Sequence, residues 1–250
     1  MPVEKATAIV LKLVEWSESS AVVTLFTREF GKIRAVAKGA RRPKGPFESA
    51  LDLLALCRIV FLHKSSDALD LLTEAKLLRR FRPQRELASL YAAYYVAELL
   101  AELTDDDDPH PELFDAAEQT LQELSAGGSV AALVLRFELT ALRLLGHTPS
   151  LEQCVECGDE VAATARIAFG QQSGGVLCAK CRAGKRNVVS VSAEVIDTLR
   201  QFAREESEAW RGCDFAGSHR GELRAVLNQY LYHLLGHKLR MHEYLPSVCT

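Results

Sequence analysis

The sequence predicts a multidomain α+β protein in which a small β-barrel is followed by an all-α helical domain carrying an inserted four-cysteine finger. Three observations predict this organisation. The first part of the chain consists of short apolar and β-branched runs separated by turn-forming residues. From Pro83 onward, the apolar residues instead recur at a helical period. Two C-x2-C pairs, at residues 154–157 and 178–181, interrupt the helical part.

The β-rich part divides into five strands, which glycine, proline, serine and charged residues separate. The predicted strands are residues 6–14, 21–28, 32–38, 50–62 and 68–78. Five short strands in one unit favour a small closed barrel such as the OB-fold, which leaves few open edges; an open five-stranded sheet is the alternative. We therefore place an OB-fold domain at residues 1–82.

The helical domain is predicted to span residues 83–250, with five helices. They begin near Pro83, at Pro109 or Pro111, at Ser129, at Ser190 or Ser192, and near Ser218. The first helix has an apolar stripe, expected to face inward, of Leu87, Leu90, Tyr91, Tyr94, Tyr95, Leu99 and Leu103. The acidic run Asp105–Asp108 is expected to form a solvated loop at the positive end of the second helix.

Composition indicates a cytoplasmic protein. Hydrophobic residues make up 48% of the chain and charged residues 25%, which is typical of globular domains. No uncharged apolar run approaches the ~20 residues that a membrane span needs. The start of the chain, Met1-Pro2-Val3-Glu4-Lys5, lacks the pattern of a signal peptide. In a reducing compartment the seven cysteines are expected to stay thiols, so a disulfide framework is not predicted.

The four paired cysteines predict one structural zinc ion, in a finger at residues 151–187. The ligands would be Cys154, Cys157, Cys178 and Cys181. Two residues between ligands let one tight turn direct both sulfurs at the same ion, and four thiolates leave no open position for a substrate. The alternatives are reduced thiols without metal, a redox pair, and an iron–sulfur cluster.

The charge is distributed unevenly. Residues 1–85 carry 16 Lys and Arg against 9 Asp and Glu, whereas residues 86–250 carry 14 against 24. Seven basic residues lie between Arg28 and Lys44, with Glu29 as the only acid, and we call residues 28–44 the basic segment. Strand alternation places Lys32, Arg34 and Lys38 on one outward face. A nucleic-acid phosphate backbone is the natural partner of such a face, and a merely solvated surface is the alternative.

Aromatic residues near the basic segment are sparse, with Phe26, Phe30 and Phe47 as the candidates for base stacking, although Phe26 is more typical of a core. This scarcity favours nucleic-acid binding that is dominated by contacts to the phosphate backbone and tolerates any nucleotide sequence. The chain has no nucleophile elbow, phosphate-binding loop, metalloprotease motif or dinucleotide fingerprint. We therefore expect a binding protein without enzymatic activity.

These segments together resemble the RecO family of bacterial DNA repair proteins over essentially the whole chain. The resemblance is carried by Leu25-Phe26-Thr27 with Gly31-Lys32, by Ala35-Val36-Ala37-Lys38-Gly39-Ala40-Arg41-Arg42-Pro43-Lys44, by the four cysteines, and by Leu235-Gly236-His237-Lys238. It implies a recombination mediator of the RecF pathway. Such a protein binds single- and double-stranded DNA, anneals complementary strands, and with RecR helps to load RecA onto DNA coated by the single-strand-binding protein SSB. It would act in the cytoplasm at the nucleoid.

The resemblance also assigns residues. The DNA-contact candidates are Lys32, Arg34, Lys38, Arg41, Arg42 and Lys44. The C-terminal tail of SSB is expected to bind an apolar pocket with a basic rim in the helical domain, and the possible rim residues are Arg136, Arg143, Lys238 and Arg240. The alternative function is a zinc-ribbon OB-fold module that binds RNA or another protein, and a zinc enzyme is the third hypothesis.

Overall fold

The computed structural model describes residues 2–40, 42, 45–47, 50–64, 68–83, 87–162, 164–204, 209–212 and 217–244. The chain forms two compact units, Met1–Gly128 and Ser129–Thr250. The prediction of a β-sheet region followed by helices is confirmed. Within the described ranges, no helix has both the length and the apolar composition that crossing a membrane requires.

Five strands of the first unit close into a barrel. They are β1 (Val3–Glu15), β2 (Ala21–Thr27), β3 (Gly31–Ala37), β4 (Leu56–Leu62) and β5 (Asp70–Arg79). The order around the barrel is β1-β2-β3-β5-β4, and β1 closes it by pairing with β4. All neighbours are antiparallel except β3 and β5. A closed barrel leaves no open sheet edge for unwanted pairing.

The barrel core follows from strand alternation. In β3, the residues Ile33, Ala35 and Ala37 are buried, while the residues between them are half-buried or exposed. Their partners inside the barrel include Val23, Leu25, Ile59 and Phe61. Because side chains of a strand alternate between its two faces, the same pattern that fills the core places the basic residues of β3 outside.

Two helices complete the first unit, α1 (Leu87–Leu103) and α2 (Pro111–Ser125). Phe114 of α2 stacks on Phe26 of β2 with ring centroids 6.1 Å apart. The predicted stripe of α1 is partly wrong, because Leu87 is 60% exposed. The face that packs most closely contains Ala92, Ala93, Val96, Leu99 and Leu100 together with Tyr95. Small alanines on this face allow a close approach to neighbouring elements, whereas Tyr91 and Tyr94 of the predicted stripe are only half-buried.

The second unit contains α3 (Val130–Leu144), α4 (Ala193–Ala203) and α5 (Gly217–Leu235). Ser129 precedes α3 at the N-cap, and Gly146, with φ of +77°, follows its end, as predicted. The prediction of an all-α domain is wrong in one respect. A three-stranded sheet of order β7-β6-β8 lies between α3 and α4, formed by β6 (Arg166–Gly170), β7 (Gly175–Leu177) and β8 (Val188–Ser192).

A buried ion pair joins α3 to α5. Arg224 donates to both carboxylate oxygens of Glu138, at 2.6 and 2.7 Å. The Glu138 side chain is fully buried and that of Arg224 is 12% exposed. The bidentate geometry pairs the two charges in a largely dehydrated position.

Candidate nucleic-acid interface and metal centre

The outward face of β3 carries basic side chains, as predicted, but most of them already have acidic or carbonyl partners. The Lys32 ammonium donates to the backbone carbonyls of Ala101 and Thr104, at 2.7 and 2.5 Å. It also lies 3.6 Å from a carboxylate oxygen of Asp106, and only 14% of its side chain is exposed. Lys32 therefore fixes the end of α1 and the loop that follows it.

The partner of β3 is the acidic run between α1 and α2. Asp106 forms a β-bridge with Lys32, and the Asp107 backbone N–H donates to the Lys32 carbonyl at 2.9 Å. The Asp106 carboxylate also accepts from Arg34 at 2.9 Å. The four residues of the acidic run are exposed, as predicted for a solvated loop, but the N-cap of α2 is His110, whose side chain makes no capping hydrogen bond and instead pairs with Asp108 at 3.0 Å. The acidic run covers the first half of β3.

Gly31 is required for this approach. Its φ is +69°, and a Cβ built on it would lie 2.0 Å from the carbonyl oxygen of Asp108. Any other residue would displace the acidic run from β3. Nearby, Arg28 pairs with Asp115 at 2.8 and 2.9 Å. The hydrogen bond from Arg28 lowers the pKa of the Asp115 carboxyl.

Among the described basic residues of the segment, Lys38 and Arg42 remain available. Both side chains are exposed, and neither pairs with a carboxylate in the part of the chain that the structure describes. They line a groove of about 490 Å³, which we call the first groove. Its lining residues are Trp16, Ser17, Ser19, Ser20, Val36, Lys38, Gly39 and Arg42. The predicted contacts Arg41 and Lys44 lie outside the described residues.

Trp16 stands at the other wall of the first groove, with 68% of its surface exposed. It begins the turn between β1 and β2, in which its backbone N–H donates to the Ser20 carbonyl at 3.0 Å. An exposed indole beside two cations combines a stacking surface for bases with charges for phosphates. Exposure of this size is unusual for tryptophan, whose burial would otherwise be strongly favourable.

None of the aromatic candidates named from the sequence presents an exposed ring, and the expectation that Phe26 belongs to the core is confirmed. Phe26 and Phe47 are buried in the core, with exposures of 0% and 2%. Phe30 packs edge-on against Phe61, with centroids 5.4 Å apart. Trp16 was missed because it lies outside the basic segment in sequence. The signal was available, however, since an aromatic residue that opens the polar run Trp-Ser-Glu-Ser-Ser is at a turn rather than in a core.

The second unit brings the four predicted ligands together. The sulfurs of Cys154, Cys157, Cys178 and Cys181 all lie within 4.8 Å of one another. The Sγ atoms of Cys157 and Cys178 are 3.8 Å apart. Four sulfurs at the zinc–sulfur bond length of ~2.3 Å around a tetrahedral ion would be ~3.8 Å apart, so the arrangement fits a tetrahedral metal.

Each C-x2-C pair forms a tight turn. Gly158 donates its backbone N–H to the Cys154 carbonyl at 2.8 Å, and its φ of +75° lets the chain leave the turn. The Cys181 N–H points at the Cys178 sulfur from 3.5 Å. Lys185 and Glu156 form an ion pair of 2.7 Å that ties the two turns together. The cysteine site is therefore organised by its own backbone.

The thiol pKa values differ within the site. Burial opposes ionisation of Cys154, but backbone hydrogen bonds at Cys178, Cys157 and Glu156 outweigh it and lower its pKa to about 6. Hydrogen bonding to Cys157 and Cys178 raises the pKa of Cys181 to about 12. Four adjacent sulfurs cannot all ionise without a cation among them. The donor set therefore demands a positive ion for full deprotonation.

The remaining predicted residues lie elsewhere in the second unit. Arg136 donates to the carbonyls of Phe202 and Arg204, at 2.6 and 2.7 Å, and thus holds the C-terminal end of α4. Lys238 and Arg240 are exposed beyond α5. In the first unit, the buried Cys57 donates to the Ala50 carbonyl at 2.8 Å, and burial raises its pKa to about 12.

The fold and the two sites define a small-barrel protein with a four-cysteine, metal-compatible site in a second unit. The family models described as Recombination protein O N terminal and Recombination protein O C terminal match residues 1–81 and 84–243. The chain therefore belongs to the RecO family.

Its relatives are named DNA repair proteins. The chain is 41% identical to the DNA repair protein RecO of Rhodopirellula baltica, over 96% of this chain and 98% of the relative. It is 34% identical to the DNA repair protein RecO of an Anaeromyxobacter species, over 98% of this chain and 96% of the relative. For the protein of the same name from Myxococcus xanthus the identity is 34%, over 96% of both chains.

Proposed function

We propose that this protein is a non-enzymatic recombination mediator of the RecF pathway. It binds single- and double-stranded DNA, anneals complementary strands, and helps RecR to load RecA onto DNA coated by SSB. Family membership supports the repair role, because the relatives carry the name DNA repair protein RecO. In this proposal it acts in the cytoplasm, at the nucleoid.

The single observation that carries the DNA-binding proposal is the first groove. Lys38 and Arg42 supply positive charge where it is not neutralised by the acidic run, and Trp16 supplies an exposed aromatic face. The barrel order β1-β2-β3-β5-β4 supports assignment to the OB-fold, in which the β1–β2 turn and the β2–β3 face bind nucleic acids. In this arrangement Lys32 positions the acidic run. Arg34 contacts DNA only when its side chain breaks the ion pair with Asp106.

The cysteine site holds one structural zinc ion in this proposal. Four thiolates are the ligand set that structural zinc prefers, and they leave no coordination position for substrate. The ion would fix the two tight turns and the adjoining sheet β7-β6-β8. Because its coordination sphere is full, the ion contributes to folding and takes no part in a reaction. Its ligands lie in the second unit, whereas DNA contact is assigned to the first.

The experiment is annealing of two complementary oligonucleotides, one of them precoated with SSB, followed by fluorescence at several salt concentrations. The wild-type protein is compared with Lys38→Glu/Arg42→Glu, each loaded with zinc and shown to be folded by circular dichroism. We expect annealing by wild type and its loss in the variant. Preference for RNA, together with failure to anneal DNA, would instead support a zinc-ribbon RNA-binding module.

A further inference from the structure

A second basic groove lies on the barrel wall formed by β1, β4 and β5. It has a volume of about 720 Å³, and we call it the second groove. Its lining residues are Lys5, Gly45, Pro46, Arg58, Val60, Glu74, Ala75, Lys76 and Leu77. None of these belongs to the first groove, and no feature of the sequence singled them out.

The cations of the second groove are placed by strand register. Arg58 of β4 lies directly opposite Lys76 of β5. Lys5 of β1 lies opposite Val60, which puts it diagonal to Arg58 at a separation of ~7–8 Å. All three side chains are exposed. Three positive charges therefore occupy three adjacent strands, which together span on the order of 10 Å.

This placement is unfavourable for the barrel alone. Like charges directly opposite each other on neighbouring strands destabilise a sheet. Among the residues that the structure describes, neither Arg58 nor Lys76 has a carboxylate partner in an ion pair. Glu74 supplies one negative charge to the groove, opposite Val60 and diagonal to Arg58, so the three cations are only partly neutralised. An anion bound between the two strands would relieve the repulsion.

Described residues between β3 and β4 line both grooves. Lys38, Gly39 and Arg42 line the first groove, whereas Gly45 and Pro46 line the second. The Pro46 carbonyl accepts from the Ala75 backbone N–H at 3.3 Å, which anchors the end of the loop on β5. Polyanions in the two grooves would therefore run along opposite ends of one short loop.

We propose that the second groove binds a second single strand of nucleic acid through its phosphate backbone while the first groove holds another strand. This inference rests on the proposed function, because it assigns the partner strand of the annealing reaction. Its described lining contains no aromatic ring, so the bases of the second strand stay free to pair. The charges of both strands are neutralised on one barrel, which removes the repulsion that slows pairing.

The test counts strands per protein chain by native mass spectrometry, with the full-length, zinc-loaded protein and an oligothymidylate of about ten nucleotides. Oligothymidylates do not pair with each other, so two bound strands require two sites. We expect two strands on the wild type, one on Arg58→Gln/Lys76→Gln, and one on Trp16→Ala/Lys38→Gln/Arg42→Gln. The matched control, Lys12→Gln/Arg82→Gln, removes the same charge outside both grooves and should keep two.

Annealing kinetics give the second measurement. Arg58→Gln/Lys76→Gln should lower the annealing rate at least about tenfold, since electrostatic attraction of the incoming strand is lost. Its affinity for the first strand should change by less than about twofold, because the two grooves do not share side chains. The midpoint of thermal unfolding of Arg58→Gln/Lys76→Gln should equal or exceed that of wild type, because a like-charge pair is removed. Loss of folding therefore cannot produce the expected result.

The outcomes separate this inference from the proposed function. If the wild type binds one strand, or if Arg58→Gln/Lys76→Gln still binds two, the second groove is not a strand site although the DNA-binding proposal stands. If the wild type binds no strand at low salt, both fail. If a glutamate decapeptide occupies the second groove under conditions in which no second oligonucleotide does, its partner is an acidic protein segment and the inference is overturned.

Discussion

Replacing Lys38 and Arg42 by glutamine removes the two proposed phosphate contacts from the first groove and leaves its aromatic wall in place. For single strands, each contact contributes about 0.7 to the slope of log K against log salt. Losing two contacts therefore reduces the slope by about 1.4. The factor by which the variant binds more weakly than wild type is then roughly 25 times larger at 0.1 M salt than at 1 M. Because both side chains are exposed, their loss should not change stability beyond about 0.5 kcal/mol.

Trp16→Ala is the complementary perturbation. Base stacking on an aromatic ring contributes about 1–3 kcal/mol per base and is not electrostatic, so affinity should fall about 5- to 150-fold with the salt slope unchanged. Trp16→Phe should recover part of this affinity. The assay is fluorescence anisotropy of labelled oligothymidylate from low to high salt. An equal loss of affinity at every salt concentration for Lys38→Gln/Arg42→Gln, or a changed salt slope for Trp16→Ala, would refute the assignment of phosphate contacts to the cations and of base stacking to the ring.

Three further results are expected. Asp106→Asn should strengthen single-strand binding about fivefold at 0.1 M salt, because it frees one cation of β3 for phosphate, and titration of labelled oligonucleotide measures this. Zinc binding near neutral pH should release at least two protons, from Cys157 and Cys181, whose thiol pKa values are raised, and calorimetry in buffers of different ionisation enthalpy counts them. Glu138→Ala should lower the free energy of unfolding by about 3–5 kcal/mol, because it leaves Arg224 as a buried charge, and urea denaturation measures the loss.

Each of these has its own control. Asp105→Asn removes the same charge from the acidic run without touching the ion pairs of Asp106, so an equal gain in affinity would show a general charge effect. Cys57→Ala should leave proton release unchanged, since this thiol is buried away from the four-sulfur site. Glu138→Met/Arg224→Met should recover much of the stability, and a double variant as unstable as Glu138→Ala would contradict the buried-charge explanation.

Local patterns predicted the elements well wherever one period ran uninterrupted. Alternation located β2 and β3, and Ser129 with Gly146 bounded α3. The sheet β7-β6-β8 was missed because its strands have three to five residues, too few for a period to be recognised. Cysteine spacing predicted which sulfurs meet, since each pair needs only one tight turn.

The availability of the basic residues could not be predicted, because it depends on partners distant in sequence. Lys32 bonds to carbonyls of residues 101 and 104, and Arg28 pairs with Asp115. Only the folded chain brings these groups together. A count of charges in the basic segment therefore overestimates the charge that a ligand would meet.

In the proposed function, the acidic run determines where on the barrel a phosphate backbone binds. Asp106 neutralises the first half of β3, and the close approach at Gly31 fixes it there. The positive charge that remains lies at the end of β3 and on the loop after it, beside the exposed ring of Trp16. A strand is consequently directed to the rim of the barrel rather than across its face. Gly45 and Pro46, which follow in the sequence, line the second groove, so the proposed arrangement brings two strands to close range.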